Sequence, residues 1–214
     1  MGFGTSVRLR PDAAGRGAMR LGFHLAPGMK VGLYGGSFNP AHDGHAHVAE
    51  TARRRLGLDQ VIWLVSPQNP LKSADETADL ATRMAGARAK ARGPKMIVSD
   101  AETRLGVQYT LDIIRILKAR FPGVHFVWIM GADSLLSFHR WRGWTQIMRA
   151  CPVAVVSRPW AALRSRFSPA ARRFGRARRP ERAALSLAMT APPAWIYLTG
   201  PYHFISSTAL RQGR

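Results

Sequence analysis

The chain has 214 residues and 46% hydrophobic content, which is enough to bury a core and too apolar for a disordered protein. Its single cysteine, Cys151, excludes an internal disulfide bond, and no apolar run reaches the ~20 residues of a membrane span. We therefore expect a cytoplasmic protein with no membrane partner. Lysine and arginine number 32 against 12 acids, and the resulting net charge of +20 favours anionic partners.

The positive charge is concentrated in two regions. Residues 158–182 hold nine arginines and one acid, Glu181, and residues 1–30 are also basic. We expect residues 1–28 to be a flexible N-terminal extension. Residues 29–214 are expected to form a single domain, with a basic insertion at about 160–185 that is a loop or a loosely held helix.

Apolar runs and helical spacing then alternate along the chain. Strands are predicted at residues 30–34, 61–66, 95–99, 124–130, 152–157 and 194–198. Helices are predicted at residues 44–56, 77–92 and 109–120, and a terminal helix starts near residue 206. This alternation predicts an α/β fold with a doubly wound parallel sheet.

The segment after the first predicted strand is the most informative part of the chain. Residues 35–47 read Gly-Gly-Ser-Phe-Asn-Pro-Ala-His-Asp-Gly-His-Ala-His. Glycines let the backbone approach an anion, and a helix N-terminus offers unpaired N–H groups. His42 and His45 are three residues apart, so both could donate to one phosphate. We call residues 35–45 the phosphate loop.

A second phosphate-type element lies near the other end of the chain, at residues 205–211. Ser206, Ser207 and Thr208 supply hydroxyl and N–H groups at a helix start, and Arg211 adds a fixed charge. Two such elements in one α/β chain point to nucleotide chemistry. In a doubly wound sheet, ligands bind at the carboxyl ends of strands near the switch point, where the loop at residues 67–72 and residues 131–133 would also lie.

These elements resemble the signatures of a known superfamily. The phosphate loop resembles the G-G-[ST]-F-[DN]-P-x-H-x-G-H signature of the nucleotidylyltransferases, and residues 205–211 resemble their I-S-S-T-x-[IL]-R element. Residues 67–72, 108–112 and 131–141 are similar to blocks of the bacterial nicotinate-nucleotide adenylyltransferases. The resemblance covers about residues 29–211 and implies a Rossmann-like nucleotidylyltransferase fold.

The resemblance also implies a reaction and a set of site residues. AMP would pass from ATP to nicotinate mononucleotide, giving nicotinate adenine dinucleotide and pyrophosphate in NAD biosynthesis, with Mg²⁺ accompanying ATP and no metal site in the protein itself. The catalytic residues would be His42 and His45. The ATP phosphates would be bound by Gly35, Gly36, Ser37, Phe38, Ser206, Ser207, Thr208 and Arg211. Nicotinate mononucleotide would be bound by Lys72, Thr110, Gly131, Asp133 and Trp141.

Two alternatives stay open at this point. Another nucleotidylyltransferase of the same superfamily shares the H-x-G-H core: one with nicotinamide mononucleotide or pantetheine phosphate as acceptor, or a cytidylyltransferase. A nucleic-acid-binding protein is disfavoured, because only Trp160, Phe167 and Phe174 could stack on bases within the arginine-rich segment and no known binding module is recognisable. Trp144 is expected to be structural, and a homo-oligomer is left open.

Overall fold

The strands form one parallel sheet. The computed structural model describes residues 21–67, 77–158 and 161–200. Within them a seven-stranded sheet has the order β3-β2-β1-β4-β5-β7-β6, and every strand pair is parallel. The strands are β1 (Lys30–Gly36), β2 (Gln60–Val65), β3 (Met96–Ser99), β4 (His125–Gly131), β5 (Val153–Val156), β6 (Arg178–Arg179) and β7 (Trp195–Leu198).

Helices cover both faces of this sheet. They are α1 (Asp43–Leu56), α2 (Leu80–Lys90), α3 (Ala101–Arg104), α4 (Thr110–Arg120), α5 (Ala132–Ser137), α6 (Trp144–Ala150), α7 (Ala162–Arg166) and α8 (Pro169–Arg173). In the described residues, 3₁₀ segments also lie at Phe138–Arg140, Gly175–Ala177 and Glu181–Met189. No helix in the described parts of the chain is both long and apolar enough to cross a membrane.

The chain winds outward from β1 to β3 and then returns to the other side of β1 at β4. The predicted doubly wound parallel sheet is thus confirmed, with its switch point between β1 and β4. Ligands bind outside the carboxyl ends of the strands at such a point. The loops after β1, β4 and β5 therefore share one edge of the sheet.

Strands buried on both faces form the core. In β4, Phe126, Trp128 and Met130 pack with α4, α5 and α6, whereas Val127 and Ile129 pack with α1 on the opposite face. Such continuous apolar runs are typical of parallel strands covered by helices. The lone thiol, Cys151, is buried beside β4, and its Sγ donates to the carbonyl of Phe126 at 3.0 Å.

Helix α1 has a sequence suited to its position. Asp43 lies in its first turn and Arg53 to Arg55 in its last, which matches the helix dipole at both ends. Gly57 ends the helix with φ of +61°, a left-handed conformation that a residue with Cβ rarely adopts. Because α1 follows the carboxyl end of β1, its first turn lies at the carboxyl edge of the sheet and forms the end of the phosphate loop.

The structure differs from the sequence predictions in two regions. Residues 21–28 pack into the fold rather than forming an extension, because Leu21 and Leu25 are buried and Ser99 Oγ donates to the carbonyl of Leu21 at 2.5 Å. The remainder of the predicted extension, residues 1–20, lies outside the described residues.

The basic insertion is also not loosely held. Its residues from 161 onward form α7, α8, β6 and two 3₁₀ segments, and Ala170, Ala171 and Phe174 join the core. The arginines between them are exposed, while the buried apolar side chains pack into the same core as Trp195 and Tyr197 of β7. These apolar contacts attach the segment to the sheet. The segment therefore contains helices, as one of the two predicted alternatives had it, but these helices are packed into the core rather than loosely held.

Candidate active site

The phosphate loop leaves β1 beneath a tightly packed tryptophan. A Cβ added to Gly35 would lie 2.4 Å from Cη2 of Trp128, so only glycine fits at this position. Phe38 follows with φ of +47°, a strained conformation for a non-glycine residue. Its ring is buried and stacks on Trp63 with centroids 5.0 Å apart. Burying a phenylalanine contributes about 1.5–3 kcal/mol, which offsets a backbone strain of about 1–3 kcal/mol.

Two imidazole rings lie against each other at the start of α1. His42 is the N-cap residue and His45 the third residue of the helix, and their ring centroids are 3.8 Å apart. The backbone N–H of His42 donates to Nδ1 of His45 at 3.2 Å. Because Nδ1 accepts this bond, the neutral ring of His45 carries its proton on Nε2. The structure thus brings the two predicted catalytic histidines together.

The two histidines differ in their surroundings. The side chain of His42 is buried, whereas His45 is partly exposed. Burial, and then the charge of Arg158, lower the pKa of His42 to about 4. The Nδ1 atom of His42 is buried and has no hydrogen-bond partner among the described residues. His42 is therefore neutral at pH 7 and can donate one N–H without adding a full charge.

A buried arginine connects the loops that follow three strands. Arg158 lies just beyond β5 and is 4% exposed. Its Nε is 3.3 Å from Oδ1 of Asp133 in the first turn of α5, and its Nη2 donates to the carbonyl of Gly44 in α1 at 3.4 Å. This bridge places Asp133 and the phosphate loop on the two sides of one guanidinium group.

Two glycines make room for this bridge. A Cβ added to Gly131 would lie 2.3 Å from Oδ1 of Asp133 and 2.9 Å from Nε of Arg158. A Cβ added to Gly44 would lie 2.8 Å from Nη1 of Arg158. Gly131 was predicted as a ligand-binding residue, and its visible role here is to admit the Asp133–Arg158 ion pair.

Arg158 was missed in the sequence analysis, where it was counted as one of the nine basic residues of the arginine-rich segment. A signal was present, because Arg158 directly follows an apolar strand, as the phosphate loop and Asp133 do. The other eight arginines of that segment are exposed.

The predicted acceptor-side residues lie around Trp128. The ring of Trp141 packs edge-on against Trp128 with centroids 6.3 Å apart, and against Phe138 at 5.2 Å. Since Trp128 also lies against Gly35, Trp141 is one ring away from the phosphate loop. Thr110 is the first residue of α4, which packs on the Trp128 face of the sheet. Trp144 packs against Phe138 and Phe174, in agreement with its predicted structural role.

Gly36 and Ser37 lie within the phosphate loop. The backbone carbonyl of Ser37 is engaged by Arg83, and Gly36 lies against the ring of Phe38. The other predicted ligands lie outside the described residues: Lys72, Ser206, Ser207, Thr208 and Arg211. In the described part of the chain, no group of three or more His, Cys, Asp and Glu side chains could hold a metal ion.

Known proteins resemble this chain in both sequence and fold. The sequence model of the cytidylyltransferase-like family matches residues 33–213. A Caulobacter protein named probable nicotinate-nucleotide adenylyltransferase is 74% identical over 183 residues, 86% of this chain and 97% of the relative. A protein of the same name from Roseobacter denitrificans is 50% identical over 90% of this chain and 97% of its own length.

A solved structure supports the fold. Plasmodium falciparum nicotinic acid mononucleotide adenylyltransferase, complexed with NaAD, matches with a TM-score of 0.62 at 16% identity, over 86% of this chain and 83% of that chain. The identity to the curated relatives extends over most of both chains. The chain therefore belongs to the nicotinate-nucleotide adenylyltransferases, the nucleotidyltransferase family of NAD biosynthesis that its motifs predicted.

Proposed function

We propose that this chain transfers AMP from ATP to the 5′-phosphate of nicotinate mononucleotide, and that the paired histidines of the phosphate loop stabilise the transition state. The observation that carries the proposal is the contact of His42 with His45 at the start of α1, beside the buried Arg158. The names of the relatives at 74% and 50% identity support the same reaction.

The reaction needs alignment more than a strong base. An oxygen of the mononucleotide phosphate is already anionic at neutral pH, and it forms a bond to the α-phosphorus of ATP. The bond from that phosphorus to the bridging oxygen breaks, and pyrophosphate leaves with the electron pair. The protein then has to hold the two groups in line and neutralise the charge that develops.

The described residues suit these tasks. His45 would donate from Nε2 to the α-phosphate, since its Nδ1 is occupied by the backbone N–H of His42. His42, neutral at pH 7, would donate a second hydrogen bond. Arg158 would add positive potential between the phosphate loop and Asp133, which would bind the nucleotide with Trp141 and Thr110. The roles of Gly35, Gly36, Ser37 and Phe38 would be to shape the loop around the phosphates.

Contributions from beyond the described residues complete the proposal. Ser206, Ser207, Thr208 and Arg211 would bind the β- and γ-phosphates of ATP, and Lys72 would bind the mononucleotide. Mg²⁺ would arrive with ATP, held mainly by phosphate oxygens and water, and would neutralise part of their charge. The cytoplasmic location stays a prediction, which depends on the single cysteine.

The substrate is tested by measuring pyrophosphate release from ATP and Mg²⁺ with three acceptors in parallel: nicotinate mononucleotide, nicotinamide mononucleotide and phosphopantetheine. We expect fast release with the nicotinate compound, together with formation of nicotinate adenine dinucleotide. Faster release with either of the other acceptors would contradict the assigned substrate, while leaving the family unchanged.

The role of His45 is tested by His45→Ala. By analogy with the loss of one oxyanion donor, we expect kcat to fall by ~10²–10³, about 3–4 kcal/mol of transition-state stabilisation. His24→Gln is the control, because the side chain of His24 is exposed and distant in sequence from the phosphate loop. A His45→Ala enzyme within a few-fold of wild type would refute the assignment.

A further inference from the structure

Arg83 is a buried cation that has no part in the proposed phosphate chemistry. Arg83 lies in the first turn of α2 and is 3% exposed. Its guanidinium group donates to four backbone carbonyls: Ala78 at 2.8 Å from Nε, Ser37 at 3.0 Å and Ser66 at 2.6 Å from Nη1, and Pro67 at 2.6 Å from Nη2. No ion pair joins Arg83 to an acidic residue in the described parts of the chain.

Three of these carbonyls, those of Ser37, Ser66 and Pro67, belong to a fork between the ends of two strands. The backbone N–H of Ser66 donates to the carbonyl of Gly36 at 3.0 Å, which is the bond that closes the ladder between β1 and β2. Beyond this bond the two segments separate. One leads through Ser37 to His42 and His45, and the other continues to Pro67.

Arg83 lies in the opening of this fork. The carbonyls of Ser37, Ser66 and Pro67 converge on it, and converging acceptors repel one another unless a donor lies between them. A planar guanidinium group with five fixed N–H donors meets this need, whereas a lysine ammonium has three donors on a single atom. The guanidinium group of Arg83 thus holds Ser37 at a fixed distance from Ser66 and Pro67.

The start of α2 reinforces the connection. Asp79 caps the helix by accepting from the backbone N–H of Thr82 at 2.9 Å, and the backbone N–H of Ala78 donates to Oδ1 of Asn39 at 3.3 Å. Asn39 belongs to the phosphate loop. Helix α2 is therefore joined to this loop both through Asn39 and through Arg83.

We propose that Arg83 is a positioning residue, which sets the position and orientation of the phosphate loop relative to the end of β2, at Ser66 and Pro67, and to the start of α2. The inference rests on the proposed function, in which the phosphate loop carries the histidines that act on the α-phosphate. In-line transfer is sensitive to the placement of these histidines, because a misplacement of about 1 Å can cost about 10²-fold in rate.

The test compares Arg83→Lys and Arg83→Gln with Arg88→Lys and Arg88→Gln, a matched pair at an exposed arginine of the same helix. For each enzyme, kcat and the KM values for ATP and nicotinate mononucleotide are measured per folded molecule at 15 °C, and the melting temperature is recorded. We expect kcat to fall by ~10²-fold in both Arg83 variants, with smaller changes in either KM, since alignment acts in the transition state. The Arg88 variants should match wild type.

Several results would overturn the inference. A lower melting temperature with kcat within threefold of wild type would show a purely structural role. Full activity in Arg83→Lys would show that the charge suffices without the forked geometry. If Arg83→Gln does not fold, Arg83→Lys still decides between these outcomes. Failure of the proposed function itself is seen separately, in the acceptor preference of the wild-type enzyme and the activity of His45→Ala.

Discussion

The phosphate loop and the part of the arginine-rich segment that follows Arg158, residues 161–182, are stabilised in opposite ways. The phosphate loop is held by tight glycines, a strained Phe38 and buried polar groups, and His42 Nδ1 lacks a partner among the described residues. Residues 161–182 are held by buried apolar side chains such as Ala170, Ala171 and Phe174, while their eight arginines are exposed.

In this molecule, the region with the most positive charge is not the region where buried charges lie beside the phosphate loop. The arginine-rich segment carries most of its charge on the surface, where water solvates it. Two buried arginines lie beside the phosphate loop instead: Arg158 contacts Asp133 and Gly44, and Arg83 donates to the carbonyl of Ser37. Mutations in the two regions test this contrast.

The largest expected effect is on the core of the arginine-rich segment. Phe174 is 8% exposed and packs edge-on against Trp144 at 5.8 Å, so Phe174→Ala should lower the free energy of unfolding by about 3 kcal/mol. For a domain of this size that corresponds to a drop in melting temperature of roughly 6–12 °C. We expect kcat per folded molecule to stay near wild type.

Phe167→Ala is the matched control for this change, because Phe167 is 66% exposed. Its melting temperature should be close to that of wild type. If Phe174→Ala instead reduced kcat tenfold while the enzyme remained folded, the segment would take part in the site and the contrast would fail.

A smaller effect is expected at Glu181, the lone acid of residues 158–182. Its carboxylate accepts from the backbone N–H of Thr199 at 2.9 Å and from its hydroxyl at 2.7 Å, and it pairs with Arg55. Glu181→Ala leaves these donors without their partner and should cost about 1–2 kcal/mol in a thermal or urea melt. An unchanged melt would show that these bonds are replaced by water, and Arg182→Ala is the exposed neighbour for comparison.

The pH dependence of stability probes the phosphate loop. The pKa of His42 is about 4 in the folded protein, below the ordinary value of 6.5. The unfolded chain therefore binds more protons between these values, so His42 makes stability fall as the pH is lowered from 6.5 to 4. In His42→Gln the melting temperature should depend less on pH in this window than in wild type or His24→Gln. Equal slopes in all three proteins would contradict the burial of His42.

The smallest effect is expected at exposed charges of the arginine-rich segment. Replacing both Arg172 and Arg173 with glutamine should change the free energy of unfolding by no more than ~0.5 kcal/mol, since surface substitutions without special contacts are usually neutral. The kcat and the KM for ATP should stay within twofold of wild type. A tenfold rise in the KM for ATP would assign these arginines a role in attracting the nucleotide.

Strands were predictable from the sequence where they consist of a continuous apolar run. Residues 124–130 form a continuous apolar run, and β4 occupies nearly the same range. The motif of the phosphate loop placed His42 and His45 together because their spacing is local. By contrast, β6 consists of Arg178 and Arg179, which give no strand signal and pair only because β7 offers an open edge.

The site residues that were missed depend on contacts distant in sequence. Arg158 is buried because Gly44 and Gly131 leave space for its guanidinium group, and neither glycine is near it in the chain. Arg83 is defined by carbonyls of Ser37, Ser66 and Pro67, and a backbone carbonyl has no sequence signature. Helix α3 was missed because four residues are too few to show a helical period.

Because Cys151 is buried, the rate at which its thiol is alkylated reports how often the folded enzyme opens around β4. Burial raises the pKa of its thiol to about 12, and alkylating reagents attack the thiolate rather than the thiol. Modification of the native protein therefore has to wait for an opening that exposes the thiol beside β4, the strand at the switch point. With one cysteine in the chain, each molecule that has opened and reacted gains a single mass adduct. Because a ligand that binds only the folded state makes the opening rarer, the labelling rate would measure nucleotide occupancy without any turnover.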